Sequence, residues 1–546
     1  MTDVFQAFES WLNFLNVQLL GLKPFHLNVP KTLMLAACAG AFLWTSLNRD
    51  SASKIARLME WVGKVSSKRE TFVFSGCLAA ILGYLSLRQF YCFTSEGYDL
   101  AIYSNSLWHT VHGEWFFDSV KNENLMGDHF GPILFLIAQL YRIWESPVWL
   151  LLLQVIALGI GGVGLGLLTH HVTGSTVMVA LLLLLYGTNP YLHSVAALDF
   201  HPIALAVPIF LWLLYFLDRE RYGAALVLAG LSLLVEESLP PGLAGIGLYL
   251  ALFQPRYRWT GLLMVTVGSV WFLVEVAIFL PHFSQHSLIH WDRYENLGPD
   301  FRHALYNLAV DPIFLVKEAF ISHYKYYYLL ALLFSVGFLP VLAWRQATLI
   351  LLPAMMMLLS GNGGHYKFGF HYSAAVLPFL FYSSAHGLAC LQKEILRMPD
   401  WVRSPRLLSS AVLALLILNV YQIRGYRLSH VDAHHVEAIR AVINFLPPDA
   451  SVRAEGNVVA MLSSRHRIAP VDDLVQENFG WWYPDYFVLD YKHVGANPQH
   501  LAARRALLDY LVEADRYHII VQIDDVVLLR QIGRAMGTAD QRVERS

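Results

Sequence analysis

Five segments of this 546-residue chain gather charged and polar residues in spacings that could do chemistry. The first runs from Glu96 through Asp99 to Asp128 and His129. A carboxylate such as Asp99 or Asp128 acts as a general base if it reaches an acceptor hydroxyl. Asp99 could equally cap a helix over 100–112, because aspartate is a favoured N-cap. The second segment, NPYLHSVAALDFHP (189–202), holds a D-x-H pair, Asp199 and His201. Such a pair can bind a divalent metal or position a phosphate, or it can cap the helix that Pro202 opens. The third, VEESLPPG (235–242), places Glu236 and Glu237 on different helix faces ahead of two prolines. It reads either as a broken helix lining a cavity or as a plain hairpin at the surface.

The fourth segment, GNGGHYKFGFHYSAAVLP (361–378), contributes His365, Lys367, His371 and Tyr372. Lysine beside a glycine-rich turn can grip a phosphate through charge-assisted hydrogen bonds. The fifth, PHFSQHSLIHWDRY (281–294), spaces His282, His286 and His290 at i, i+4 and i+8. On one helix this permits metal binding, and it also suits a histidine-rich interfacial helix.

What must position these residues is a membrane domain. Hydrophobic residues are 56% of the chain and charged residues 15%, against about a quarter charged in soluble domains. Mean hydropathy is +0.45. The formal net charge of -2 gives no global basic excess for nucleic acid. Cys38, Cys77, Cys92 and Cys390 are too few, in contexts too apolar, for a disulfide scaffold or a zinc module. Residues 1–30 lack a secretory signal pattern, and 10–22 read as interfacial. The apolar pattern predicts about 12 spans, near 31–47, 71–91, 148–169, 176–188, 203–217, 223–237, 241–254, 260–281, 327–344, 347–360, 373–390 and 407–424. Several are shorter than the roughly 20 residues that cross a bilayer.

Lysine and arginine cluster in 48–70, 218–222, 255–259 and 391–406, which the positive-inside rule assigns to the cytoplasm, together with Arg345. Alternation puts 92–147, 189–202, 282–326, 361–372 and 425–546 on the other face. Residues 131–144 read as a juxtamembrane helix in the outer interface. The chain thus divides into an N-terminal segment (1–70), a transmembrane helical bundle (71–424) and a tail (425–546). Short β-like runs at 451–455, 486–491, 517–523 and 525–530, with helices at 433–446 and 503–514, predict a small α/β domain in that tail.

The pieces YDLAIYSNSLWHTVHGEWF (98–116), GDHFGPILFL (127–136), LDFHP (198–202), VEES (235–238) and HYSAAVLPFL (371–380) resemble the GT-C superfamily of polyprenol-dependent membrane glycosyltransferases. They are most similar to a bacterial branch of predicted membrane proteins catalogued as domain of unknown function 2079. The tail pieces at 446–465 and 486–491 share the likeness, which covers roughly 71–530. The resemblance implies a mainly α, polytopic fold in a bacterial inner membrane with a periplasmic tail. It implies Asp99 as catalytic base, Asp199 as the second acidic position, and the 361–372 loop as the grip on the lipid phosphate. Asp128, His129, Glu236 and Tyr372 would then orient substrates, and Asp199 with His201 could hold Mg²⁺ or Mn²⁺. The D-x-D pair of the superfamily is absent from both loops; Asp128-His129 and Asp199-x-His201 stand there instead. The expected partners are the bilayer, a polyprenyl-phosphate sugar, an unidentified acceptor and other membrane proteins of a complex. A transporter or lipid-handling protein, and a non-catalytic subunit of a membrane assembly, fit the same composition.

Overall fold

The computed structural model describes residues 67–284, 290–367, 369–397, 405–423, 431–471, 482–494 and 497–533. The span expected at 31–47, most of the loop 48–70, and His286 lie outside the described residues. The structure is mainly helical. Helix α1 (Ser67–Tyr91) leads to α2 (Tyr98–Val111), and the eight-residue α3 (Leu134–Tyr141) follows a short hairpin. At 1.5 Å per residue α3 is about 12 Å long and cannot cross a membrane. Then come α4 (Val148–Thr173), α5 (Thr176–Gly187), α6 (Pro190–Ala197), α7 (Ala206–Asp218), α8 (Tyr222–Ser232), α9 (Pro240–Phe253) and α10 (Arg258–Val274).

Among the described residues, three helical stretches are long and apolar enough to cross a bilayer: Arg69–Tyr91, Val148–Thr173 and Pro255–Ser284. The third is α10 with a preceding 3-10 turn and a following π-turn and helix. The pair α5 and α6, bent by 48°, would be a fourth. This is fewer than the 12 expected. The missing lengths have a visible cause, because prolines cut the apolar runs. Pro190 and Pro240 stand at the first turn of α6 and α9. At the α5–α6 break the Asn189 side chain accepts from the main-chain N–H of Tyr191 and of Leu192, which caps α6. Close packing compensates for short length. A Cβ on Gly166 of α4 would sit 2.4 Å from Thr71 of α1, so only glycine lets these backbones approach.

Beyond α10 the chain makes amphipathic helices α11 (Phe301–Val310) and α12 (Pro312–Phe320), then α13 (His323–Ser335) and α14 (Leu351–Leu359). Helix α15 (Leu377–Glu394) runs through the core, with Phe379, Leu380, Phe381 and Tyr382 buried, and α16 (Pro405–Gln422) follows.

The tail forms α17 (Ala433–Ile443), α18 (Pro498–Glu513) and a five-stranded sheet. After the two-stranded hairpin β1 (Phe117–Asp118) and β2 (Glu123–Asn124), its strands are β3 (Val452–Ala454), β4 (Ile468–Pro470), β5 (Tyr486–Asp490), β6 (Tyr517–Ile523) and β7 (Val526–Gln531). Their order is β4-β3-β5-β7-β6. β3 pairs in parallel with β4 and β5, and β7 pairs antiparallel with β5 and β6. Alternation decides the two faces. Tyr486, Val488, Val526 and Leu528 join the core shared with the membrane helices, while Phe487, Leu489, Val527 and Leu529 form a second core with Leu511 of α18. Four of the β-like runs and both tail helices lie where the sequence puts them; β4 was not expected.

Candidate functional site

Helix α2 opens at Gly97, whose φ of 70° places the turn in the left-handed region that glycine favours. A Cβ there would also meet the Gly456 carbonyl oxygen of the tail at 2.8 Å. The helix has no side-chain cap of its own. Asp99 therefore does not cap it. Its carboxylate turns outward, and Oδ2 lies 3.1 Å from His201 Nε2. The missing cap comes from a residue 99 positions away: Asp199 Oδ2 accepts from Leu100 N–H at 3.3 Å. His201 Nδ1 donates to the Asp199 carbonyl at 2.8 Å, so its proton is fixed there and Nε2 is left for Asp99. The second segment thus serves the first. Asp199 supports the helix start and His201 holds its carboxylate.

The Asp99 side chain keeps 47% of its accessible area and so stays open to an acceptor. Burial opposes its charge, but the His201 hydrogen bond and charge outweigh burial and hold it below the usual carboxylate range. His201 is correspondingly raised by Asp99 against its own burial. Burial, with the nearby Asp99 charge, pushes Asp199 up to about 7.

A second carboxylate is clamped more completely. The Asp118 carboxylate accepts from the Val120 and Lys121 N–H groups and so shapes the β1–β2 turn. That turn presents Lys121, whose Nζ donates to Asp128 Oδ2 at 2.5 Å. Across it, His290 Nε2 lies 2.6 Å from Asp128 Oδ1, without hydrogen-bond alignment. Burial disfavours the Asp128 charge, yet His290, His129 and Lys121 keep it well below the ordinary range. His129 Nδ1 meets Glu237 Oε1 at 2.7 Å, and the Phe130 N–H donates to the other oxygen. Burial is overcome here too, and Glu237 raises His129 to about 9. Glu236 is buried beside Ser238, whose hydroxyl donates to it, and burial raises its pKa.

The fourth segment reaches the same place. His371 and Tyr372 stand on a 3-10 turn just before α15, and the His371 ring stacks on His201 with centroids 3.4 Å apart. Burial and the His201 and His129 charges push His371 well below its usual value. His365 is buried against Tyr372, with neither ring nitrogen hydrogen-bonded, and burial with the Arg293 charge lowers it to about 3. Without a bound anion, both histidines are thus held toward the neutral form. Lys367 is exposed, lies over Gly363, and makes no ion pair among the described residues. The cations that face this cluster are instead Lys121, His129, His201 and Arg293.

Arg293, Lys121, His290 and Glu237 are what the sequence reading left out of the site. The Arg293 guanidinium is half-buried, has no ion-pair partner among the described residues, and acts on His290, His365, His371 and Tyr372. Its carbonyl accepts from Gly361 N–H and Ser360 Oγ, which ties the fifth segment to the fourth. His290 lay in the spacing pattern; it stands just before a 3-10 turn, and His282 is exposed on the helix Leu280–Ser284.

Two sets of donors among the described residues lie close enough to hold a metal ion: Asp128, His129 and His290, and separately His109, Glu114 and His466. Asp199 and His201, expected as the metal pair, belong to neither. Both His201 ring nitrogens are engaged and the Asp199 carboxylate caps α2, so the pair does not present two open donors. A cavity of about 190 Å³ lies at the far end of α7, lined by Asp218, Tyr249, Gln254 and Tyr382, and takes no part in this cluster.

Among solved structures the chain is similar to ArnT from Cupriavidus metallidurans in the apo state, at 13% identity and a TM-score of 0.48, covering 85% of this chain and 98% of that one. No curated protein matches it. The family model described as predicted membrane protein (DUF2079) matches residues 89–528, a stretch that holds every residue of the cluster around Asp99 and Asp128, and the chain belongs to that family.

Proposed function

We propose that the protein is a membrane glycosyltransferase of the GT-C kind, moving a sugar from a polyprenyl-phosphate or -diphosphate donor to an acceptor hydroxyl at the outer face of a bacterial inner membrane. One observation carries the reading: an accessible carboxylate, Asp99, held below the usual carboxylate range, stands in a cluster that also gathers Lys121, His129, His201 and Arg293. A transfer that expels a lipid phosphate needs both, a base for the acceptor and positive charge for the leaving group.

In this mechanism Asp99 takes the proton of the acceptor hydroxyl as its oxygen attacks the anomeric carbon. The bond from that carbon to the phosphate oxygen breaks, and the electron pair leaves with the lipid phosphate. Inversion follows from attack opposite the leaving group. A lowered pKa makes Asp99 a weak base, so its contribution is position and constant ionisation. His201 fixes the carboxylate and withdraws when Asp99 is protonated. Arg293 and protonated His129 receive the phosphate, because Arg293 has no ion-pair partner among the described residues and His129 is held charged. Asp128 holds Lys121 through Oδ2 and faces His290 with Oδ1.

A divalent cation, if used, would sit on Asp128, His129 and His290, where the mutually facing Asp128 Oδ1 and His290 Nε2 lack aligned partners. It would supply Lewis-acid charge to the phosphate. The transporter reading draws on Glu275, buried in the π-turn after α10 with both carboxylate oxygens unpartnered.

The test uses purified protein in lipid with radiolabelled polyprenyl-phosphate sugars, with Mn²⁺ or with chelator, against Asp99→Asn. Sugar transfer or release that disappears in the variant supports the reading, and the chelator lane reports on the metal. An Asp99→Asn variant that keeps full turnover removes Asp99 as the base.

A further inference from the structure

The second donor set lies at the other end of α2, where the tail meets the membrane domain. His109 is in the last turn of α2, about 15 Å along the axis from Asp99. Its ring is 1% exposed, and Nδ1 lies 2.6 Å from Glu114 Oε2. The opposite nitrogen, Nε2, faces the His466 backbone, which leaves Nδ1, beside Glu114, as the atom a metal would take. A ring nitrogen of His466, from the tail, completes a set of three donor atoms within 4.8 Å of one another.

The set is built, not incidental. Asn105, one turn before His109 on α2, donates to the carbonyls of Ser463 and Arg465 and so fixes the chain that carries His466. The Trp108 ring stands edge-on to both His109 and His466 and packs one side of the space between them. Glu114 and His466 are exposed, and His109 is buried. Tetrahedral zinc needs donors about 3.3 Å apart, so the 2.6 Å His109–Glu114 contact would open by under about 1 Å and the His466 nitrogen, within 4.8 Å, would close by about 1.5 Å at most. Two imidazoles and a carboxylate are a zinc donor set, and the exposed side leaves a fourth position for water.

We infer that His109, Glu114 and His466 form a zinc site that clasps the tail onto α2. This does not depend on the proposed reaction, because the site is remote from Asp99. Zinc would hold the tail over the helix whose opposite end presents the catalytic carboxylate, and stripping the metal would release that hold.

Full-length protein in detergent is stripped with chelator, dialysed, loaded with Zn²⁺, and passed through a desalting column before metal analysis. The variants are His466→Ala, which alters only an exposed side chain, and Asp128→Asn. Bound Zn²⁺ near one per chain in wild type and in Asp128→Asn, with at least tenfold weaker binding in His466→Ala, is the expected result. Co²⁺ substitution should give visible absorption of a tetrahedral site in the same two proteins. Zinc should also slow proteolysis between the membrane domain and the tail in wild type and not in His466→Ala. Zinc retained by His466→Ala and lost from Asp128→Asn places the metal in the other cluster and overturns the inference. Absence of stoichiometric zinc from all three proteins overturns it as well.

Discussion

Helix α7 has an aspartate–histidine contact at each end, and the two are built differently. At its far end Asp218 accepts from the Tyr382 hydroxyl and pairs with His386 Nε2, both at 3.0 Å. Those partners are one turn apart on α15, so a single helix satisfies the carboxylate. Just before its start, His201 meets Asp99, and around them stand residues from the β1–β2 hairpin, the α8–α9 loop, the 290–297 turn and the turn before α15. A fastening needs one carboxylate and one or two donors. The cluster around Asp99 holds more charge than fastening requires, and it leaves Arg293 without an ion-pair partner among the described residues and Asp99 accessible. Accessible charge gathered from several elements separates a working site from a strut.

That contrast predicts opposite phenotypes for two isosteric substitutions. Asp99→Asn should lower sugar transfer by about 10²–10⁴-fold, the usual worth of a general base, with little change in Tm. Asp218→Asn should keep turnover and lower stability by about 1–3 kcal/mol, read as a fall in Tm in the same detergent, because a charged acceptor of two hydrogen bonds is lost. If both variants lost activity equally with matching Tm losses, the distinction between the two ends of α7 would collapse. Next in size, Arg293→Ala should cost about 10²–10³-fold in turnover, as removing one donor to a developing anion does. Measured donor affinity should fall with it, whereas Lys367→Ala, at an exposed residue over Gly363, should leave both near wild type.

The pH profile tests the same cluster with a smaller effect. His129 is raised from its ordinary 6.5 to about 9 by Glu237. A raised imidazole stabilises the fold fully below the unfolded value, and that contribution is lost as pH rises through the folded one. Tm should therefore fall between about pH 7 and 9, and turnover should fall with it as the phosphate loses a cation. His129→Gln should flatten the Tm profile across that window.

Much of this was readable from residues, and what was not has physical reasons. The segments that build the cluster were found because polar residues in an apolar chain are costly and stand out. The pairs that make the site, Asp99 with His201, His129 with Glu237 and Asp128 with His290, join positions 102, 108 and 162 residues apart, and no local pattern encodes them. Local rules left Asp99 open between cap and base, because the carboxylate that satisfies the start of α2 comes from Asp199. Several expected spans are apolar helices of 10–17 residues among the described residues, shorter than the stretch that crosses a bilayer alone. Arg293 was passed over because an arginine in a loop carries no pattern of its own. In the tail, alternation was enough for β5, β6 and β7, while the three-residue β4 exists only because β3 offers it an edge.

Asp199 gives the smallest effect and the sharpest separation of two roles. As a metal ligand it could not be replaced by asparagine without loss of the metal and of activity. As the cap of α2 it could, because the asparagine side-chain carbonyl still accepts from Leu100 N–H. The sign of the stability change follows from burial. Asp199 is raised to about 7, so the folded protein resists its ionisation, and the resulting penalty is absent below the unfolded value near 3.8 and complete above about 7. Asp199→Asn removes a charge that is unfavourable only at the higher pH. The variant should equal wild type in Tm only below about pH 4, equal or exceed it at pH 8, and keep transfer within about threefold, consistent with a net hydrogen-bond contribution of roughly 1 kcal/mol or less being changed. A large activity loss at unchanged Tm would return Asp199 to the chemistry and leave α2 held by something other than this carboxylate.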